Sequence, residues 1–136
     1  MTYLLDTSVI VNFLRGAYST RDWIAKLSQA GSFAISVMTF GELIYGAHRS
    51  GAYKKEGDRI EGFLNDFQIT VLPMTQEIIE LYAAVKYTLE RTGNKLDDFD
   101  LLIGATAVAT ESRLVTENVR HFRKFPGITV VDNESK

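Results

Sequence analysis

Tyr3-Leu4-Leu5-Asp6-Thr7-Ser8 is the stretch of sequence that decides the fold. Three apolar residues end in a carboxylate, and the apolar run 9–14 follows at once with helical spacing. The stretch predicts a strand over 2–5 and a helix over 7–14. A carboxylate directly after an apolar strand becomes partly buried at the edge of the sheet, where an unpaired charge is costly. We therefore expect Asp6 to have a functional role.

The same change from strand-like to helix-like pattern recurs along the chain. Further strands are predicted over 33–37, 69–72, 113–116 and 128–131. Further helices are predicted over 20–30, from Thr39 onward, and over 55–66, 76–91, 101–109 and 119–125. Strands separated by helices imply an α/β fold whose parallel sheet of about four to five strands has right-handed crossovers.

The composition favours one small domain that does not enter a membrane. The chain has 136 residues, of which 46% are apolar, so we expect a single domain over 1–136. No apolar run approaches the roughly 20 residues that span a bilayer. The N-terminus lacks a basic start, which argues against a secretory signal and for the cytoplasm. The absence of cysteine excludes disulfides and thiolate-bound zinc.

Four more acids stand where strand-like runs end or helices begin, namely Glu42, Asp98, Asp100 and Glu117. In open parallel sheets, ligands collect beyond the carboxyl ends of the strands, near the point where the strand order reverses. The acids are therefore expected to meet in one pocket. Each also has a simpler explanation, because acids near helix starts cap free amides, and Thr39 with Glu42 has the spacing of a capping box.

Carboxylates that meet in one pocket repel one another and must take up protons or share a cation. Oxygen ligands favour Mg²⁺ or Mn²⁺ over zinc or copper. Such an ion polarises a phosphate and lowers the pKa of a bound water, which suits phosphodiester hydrolysis. The net charge of −2 would not attract a polyanion, so nucleic-acid binding would need a local basic patch.

Motifs across nearly the whole chain resemble those of PIN-domain ribonucleases of the VapC toxin type. They are, in chain order, Leu5-Asp6-Thr7-Ser8, Thr39-Phe40-Gly41-Glu42-Leu43, Asp98-Phe99-Asp100-Leu101-Leu102-Ile103-Gly104-Ala105, and Leu114-Val115-Thr116 with His121-Phe122 and Pro126-Gly127. The resemblance implies a PIN-like three-layer sandwich, with the parallel sheet between two layers of helices.

The resemblance implies that Asp6, Glu42 and Asp100 bind the metal and are catalytic. By the same resemblance Asp98, Thr7 and Thr116 support them. Family members often carry an aspartate two residues after the threonine matching Thr116. This chain has Asn118 there, which leaves one or two metal ions open. We expect Asn118, rather than the neighbouring Glu117, to line the pocket, because adjacent strand residues point to opposite faces.

The resemblance also implies an RNA substrate such as transfer RNA, together with a homodimer and a small VapB-type antitoxin. Arg120, Arg123 and Lys124 are candidates for contacts with RNA phosphates. Apolar side chains beyond one core-facing stripe, at Phe40, Leu43, Ile44, Tyr45 and Phe63, could serve a partner helix or the core.

Other classes fit less well or differently. An aspartyl-nucleophile phosphatase needs a second aspartate where Ser8 stands. A catalytically inactive PIN-like binding module remains the alternative to the nuclease.

Overall fold

A computed structural model describes residues 1–133 of this chain; residues 134–136, which complete the expected domain, lie outside the described residues. Its strands are β1 (Thr2–Leu5), β2 (Ser32–Ser36), β3 (Thr70–Leu72), β4 (Arg113–Val115) and β5 (Val130–Val131). They form one sheet in the order β3-β2-β1-β4-β5, and every pairing is parallel. The predicted α/β fold with a parallel sheet is confirmed.

Helices connect the strands and cover both faces of the sheet. They are α1 (Thr7–Leu14), α2 (Tyr18–Ser28), α3 (Val37–Arg49), α4 (Tyr53–Asp66), α5 (Gln76–Arg91), α6 (Asp98–Ala109) and α7 (Val119–Phe122). Within residues 1–133, none is long and apolar enough to cross a membrane.

Helices α2, α3, α4 and α6 begin two or three residues earlier than the sequence pattern predicts, and polar side chains cap α3 and α6. The Ser36 hydroxyl accepts a hydrogen bond from the Thr39 amide at 3.0 Å, so α3 begins at Val37, which was expected to end the strand. Asp97 likewise accepts from the Asp100 amide at 3.0 Å, and α6 begins at Asp98 rather than Leu101. Both caps lie at the carboxyl edge of the sheet.

The last elements are shorter than predicted. Helix α7 ends at Phe122 instead of residue 125, and β5 holds only Val130 and Val131 instead of 128–131. Between them Gly127 has a φ of +77°, a left-handed conformation that turns the chain back toward the sheet. Strand β5 pairs with β4 only through Leu114 and Val115.

Alternate strand residues pack to opposite faces of the sheet. Leu5, Phe33 and Ile35 belong to a core that includes residues of α1 to α4. Leu4 packs on the other face with Ile103 of α6 and with other buried residues, including Phe122 of α7. A separate apolar cluster joins α5 to α6. The result is the expected three-layer arrangement.

The strand order reverses at β1, which pairs with β2 on one side and with β4 on the other. Residues that follow β1 and β4 therefore meet at the switch point where α/β sheets bind ligands. Asp6 and Thr116 occupy those two places, and the Asp6 amide donates to the Val115 carbonyl at 2.9 Å.

Gly104 lets α6 lie close against the segment after α7. A Cβ atom at this position would lie 2.7 Å from Cδ2 of Phe125, which is 1% exposed and cannot move without disturbing the core. We expect Gly104→Ala to lower the free energy of unfolding by about 1–3 kcal/mol through overpacking.

Urea denaturation of Gly104→Ala beside Gly62→Ala checks this expectation. Gly62 lies within α4 with nothing inside 4 Å of the added Cβ, so its substitution should be neutral or raise stability by about 0.5–1 kcal/mol. Equal effects of the two substitutions would contradict the close packing at Gly104.

Candidate active site

Asp6 is the most buried of the three predicted catalytic acids, with 5% of the residue exposed. Its Oδ1 accepts from the Thr7 amide at 2.8 Å, which caps α1. Its Oδ2 accepts from the Thr116 hydroxyl at 2.8 Å and from the Ser8 hydroxyl at 3.2 Å. Asp6 is thus both a helix cap and a charge held at the sheet edge.

Thr7 connects Asp6 to the second predicted acid, Glu42. The Thr7 hydroxyl donates to Oε1 of Glu42 at 2.6 Å and lies 3.2 Å from the Thr39 hydroxyl. Glu42 lies on α3, so this hydrogen bond fixes α3 relative to the start of α1. The expected supporting position of Thr7 beside the acids agrees with this geometry.

Asp100 lies in the first turn of α6 and makes its contact with α7. Its Oδ2 lies 2.8 Å from Nε2 of His121. Its amide donates to Asp97, the residue that caps α6. Thr7 therefore joins Asp6 and Glu42 by hydrogen bonds, and Asp100 is hydrogen-bonded to Asp97 and His121. The two sets interact electrostatically, because His121 acts on Asp6 and Asp97 acts on Glu42.

Burial raises the pKa of all three predicted catalytic acids. For Asp6 this effect exceeds the opposing effect of its three hydrogen bonds and of His121. The pKa of Glu42 is raised by burial and further by Asp6 and Asp97, against the hydrogen bond from Thr7. Burial raises the pKa of Asp100 to about 6, and Asp97 adds to this, while His121 opposes it. A cation would relieve this shared cost.

The structure does not bring Asp98 to the other acids. Its carboxylate Oδ1 lies 2.8 Å from both the Lys86 ammonium and the Tyr82 hydroxyl on α5. Both contacts lower the pKa of Asp98, and the hydrogen bond from Lys86 has the larger effect. The supporting role expected for Asp98 has no geometric basis here, because the helical turn directs it toward α5.

Glu117 and Asn118 follow β4 and diverge. The carboxylate of Glu117 accepts from the Thr20 hydroxyl of α2 at 3.2 Å. The backbone amide of Asn118 donates to the Thr116 hydroxyl oxygen at 2.9 Å, and Asn118 is exposed. Thr116 therefore accepts from Asn118 while it donates to Asp6, which agrees with its expected supporting position.

Sequence reasoning missed two residues of this site, Asp97 and His121. Asp97 raises the pKa of both Glu42 and Asp100, and His121 contacts Asp100 directly. In the sequence, Asp97 was indistinguishable from the adjacent Asp98 as a helix start. The signal for His121 was its place one residue before the buried Phe122 in a short helix after a strand.

The donor set suits a hard divalent ion, because Asp6, Glu42 and Asp100 supply carboxylate oxygens whose negative charge burial disfavours. Within residues 1–133, no three Asp, Glu, Cys or His side chains stand close enough to form a complete metal site as they are. The hydrogen bond from Thr7 fixes the carboxylate of Glu42, and the contact with His121 fixes that of Asp100.

Two other predicted surfaces lie beside this site. Arg120, Arg123 and Lys124 are exposed on and just after α7, which also carries His121. Of the apolar residues singled out on α3 and α4, Leu43 and Phe63 are buried in the core, and Tyr45 is 63% exposed. The others line a groove of about 510 Å³ between the two helices. Its lining includes Phe40, Ile44, Tyr53, Ile60 and Leu64.

The model of the PIN domain family matches residues 3–128, so this chain belongs to the PIN domain family. Among known proteins it is similar to ribonuclease VapC1 of Rickettsia felis, with 31% identity over 140 residues that cover 100% of this chain and 99% of that protein. Ribonuclease VapC10 of Mycobacterium tuberculosis is 34% identical over 122 residues, which cover 90% of this chain and 86% of that protein. The resemblance to VapC-type proteins is confirmed.

Solved structures extend the similarity to complexes. VapBC2 from Rickettsia felis, bound to a DNA fragment from its promoter, has a TM-score of 0.89 at 25% identity and covers 97% of this chain and 98% of that one. DNA-bound VapBC from Salmonella typhimurium has a TM-score of 0.86 at 25% identity, with 98% of each chain covered. The fold of this chain is thus that of a chain in each of these VapBC structures.

The raised pKa of Asp100 predicts a pH-dependent cost in the metal-free protein. The pKa of Asp100 is raised from its ordinary value of 3.8 to about 6. At pH values between these two, Asp100 holds a proton in the folded state that it has lost in the unfolded state. Stability therefore falls as pH rises through this window, and the cost is complete above it. In chelator, Asp100→Asn should raise the free energy of unfolding by about 1 kcal/mol at pH 7.5, a value reduced because Asp100 is partly exposed.

Urea unfolding of both proteins between pH 4 and pH 8, roughly the titration range of such a carboxyl, measures this difference. The advantage of Asp100→Asn should vanish near the acidic limit. Asp58→Asn, which removes an exposed acid on α4, serves as the control. A destabilised Asp100→Asn at pH 7.5 would mean that Asp100 has mainly a structural role.

Proposed function

We propose that this protein is the toxin of a type II toxin–antitoxin pair, a metal-dependent endoribonuclease that hydrolyses RNA phosphodiesters and is neutralised by a small VapB-type antitoxin. The observation that carries the proposal is the buried carboxylate of Asp6 at the switch point of the sheet, hydrogen-bonded to Thr7, which also donates to Glu42. Burial raises the pKa of Asp6, Glu42 and Asp100 alike. Relatives named as ribonucleases, at 31% and 34% identity over most of the chain, support it.

In this proposal, Asp6, Glu42 and Asp100 hold Mg²⁺ or Mn²⁺. The bound ion supplies charge stabilisation at the phosphate and a water of lowered pKa. The chain's own contribution is to fix the acids before RNA arrives. The Thr116 hydroxyl donates to Asp6 at 2.8 Å, and the Thr7 hydroxyl donates to Glu42 at 2.6 Å. These hydrogen bonds orient the two carboxylates and oppose the rise in their pKa that burial causes.

The exposed cations Arg120, Arg123 and Lys124 are proposed to bind RNA phosphates. They belong to the segment that follows β4 and that also carries His121, which contacts Asp100. This placement compensates for a net charge of −2, which by itself repels RNA. Transfer RNA is the candidate substrate.

The groove between α3 and α4 is the proposed seat of the antitoxin. Phe40, Ile44 and Leu64 give it an apolar lining, while Lys54 and Glu61 stand among its lining residues. An amphipathic helix suits such a surface. The solved VapBC complexes of similar fold support a protein partner. A homodimer and a cytoplasmic location complete the proposal.

Cleavage of end-labelled total transfer RNA and a panel of single-stranded RNAs tests the activity. With Mg²⁺ or Mn²⁺ the wild type should produce discrete cuts, and chelator should abolish them. Asp100→Asn should lose at least about 100-fold in rate, because it removes a carboxylate from the donor set. Asp58→Asn should cut like the wild type.

Folded, partner-free wild type that cuts no RNA with either metal would contradict the nuclease. The inactive binding module would then be the better description of this chain.

Neutralising the basic segment should weaken RNA binding and flatten its salt dependence. Replacing Arg120, Arg123 and Lys124 by Gln removes up to three phosphate contacts, each worth about 0.7 in the slope of log affinity against log salt for single strands. The magnitude of this slope should therefore be smaller by about 2 than in the parent protein. Binding is measured by fluorescence anisotropy in an Asp100→Asn background, which prevents cleavage.

The matched control replaces Arg49, Lys54 and Lys55, three exposed cations of α3 and α4, by Gln. Its salt slope should equal that of the parent. If the slope is reduced in this control and not in the α7 variant, the RNA phosphates contact the cations of α3 and α4 instead.

A further inference from the structure

One short segment of the chain contacts two of the three acids. At its start, the Thr116 hydroxyl donates to Oδ2 of Asp6 at 2.8 Å. At its end, Nε2 of His121 lies 2.8 Å from Oδ2 of Asp100. The segment from Thr116 to His121 therefore sets the position of Asp100 relative to Asp6, although the two acids belong to different elements.

The backbone of this segment is firmly held. The Asn118 amide donates to the Thr116 hydroxyl oxygen at 2.9 Å, and the Asn118 carbonyl accepts from the Phe122 amide at 3.1 Å. Phe122 is fully buried next to His121, and the two rings meet edge to face with centroids 5.7 Å apart. These contacts hold the His121 imidazole in place beside Asp100.

The contact between His121 and Asp100 contributes little to the stability of the fold. The side chains are 35% and 24% exposed, and partly exposed ion pairs are typically worth about 0–1 kcal/mol. An ionised carboxylate accepts hydrogen bonds and cannot donate, so the imidazole must donate its Nε2 proton when Asp100 is charged. The contact therefore fixes which way the Asp100 carboxylate faces.

We infer that His121 is a positioning residue, which donates a hydrogen bond to Asp100 and holds its carboxylate ready for the metal ion without touching RNA. This inference rests on the proposed function. Groups that orient metal-binding carboxylates typically change metal affinity or activity by about 10- to 100-fold when they are removed.

Mn²⁺ binding by the partner-free protein, measured by electron paramagnetic resonance without RNA, tests the inference. His121→Ala should bind Mn²⁺ about tenfold more weakly than the wild type. His121→Gln should stay within about threefold, because its amide nitrogen reaches the place of Nε2, whereas His121→Asn, whose amide is shorter, should resemble His121→Ala. In RNA cleavage, His121→Ala should lower kcat while KM for RNA stays the same.

His48→Ala is the matched control, since His48 is the other histidine of the chain and stacks on Tyr53 at 4.1 Å between ring centroids. It should bind Mn²⁺ like the wild type. If circular dichroism shows that His121→Ala is unfolded, the difference in Mn²⁺ affinity between His121→Gln and His121→Asn tests the inference by itself.

Equal Mn²⁺ affinity of the wild type and the folded His121 variants would overturn the positioning role and leave the metal site intact. A raised KM with unchanged kcat and unchanged Mn²⁺ affinity would make His121 an RNA contact instead. A wild type that binds no Mn²⁺ would overturn the metal site of the proposed function, and the positioning role with it.

Discussion

The hydrogen-bonded burial of the Asp6 carboxylate is the constraint on which the rest of this site depends. Its donors come from two places, the start of α1 and the residue after β4. Satisfying this one group therefore fixes the strand pair β1–β4 against the helix that follows β1. Thr7, whose amide caps the helix through Asp6, then directs its hydroxyl to Glu42. The second acid is placed by the way in which the first is satisfied.

The arrangement has a cost in the protein alone. Three carboxylates with pKa values raised by burial are charges that the fold would more readily protonate. A fold selected for stability alone would replace them with neutral groups. In the proposed function, a cation that binds these carboxylates only in the folded state would stabilise the fold.

Much of this architecture could be predicted from sequence. The parallel sheet followed from strand and helix periodicities. Places at strand ends and helix starts singled out a wider set of acids, and the resemblance to PIN-domain ribonucleases selected Asp6, Glu42 and Asp100 from it. The choice between Asp97 and Asp98 could not be predicted, because Lys86 on α5, distant in the sequence, attracts one of them. The role of His121 in the network was equally hidden, since a histidine in a short polar helix also suits a solvated surface. Element boundaries moved where side chains such as Ser36 capped the backbone.

The two outer strands of the sheet have a consequence for how this protein meets other chains. Strands β3 and β5 contain three and two residues. Edge strands this short offer few free amide and carbonyl groups, so another chain could form few hydrogen bonds by adding to the sheet. Short edges of this kind favour association through helix faces, where recognition depends on the identity of side chains rather than on the common backbone. A protein built in this way can distinguish its own partner from near relatives through a few substitutions, with its sheet unchanged.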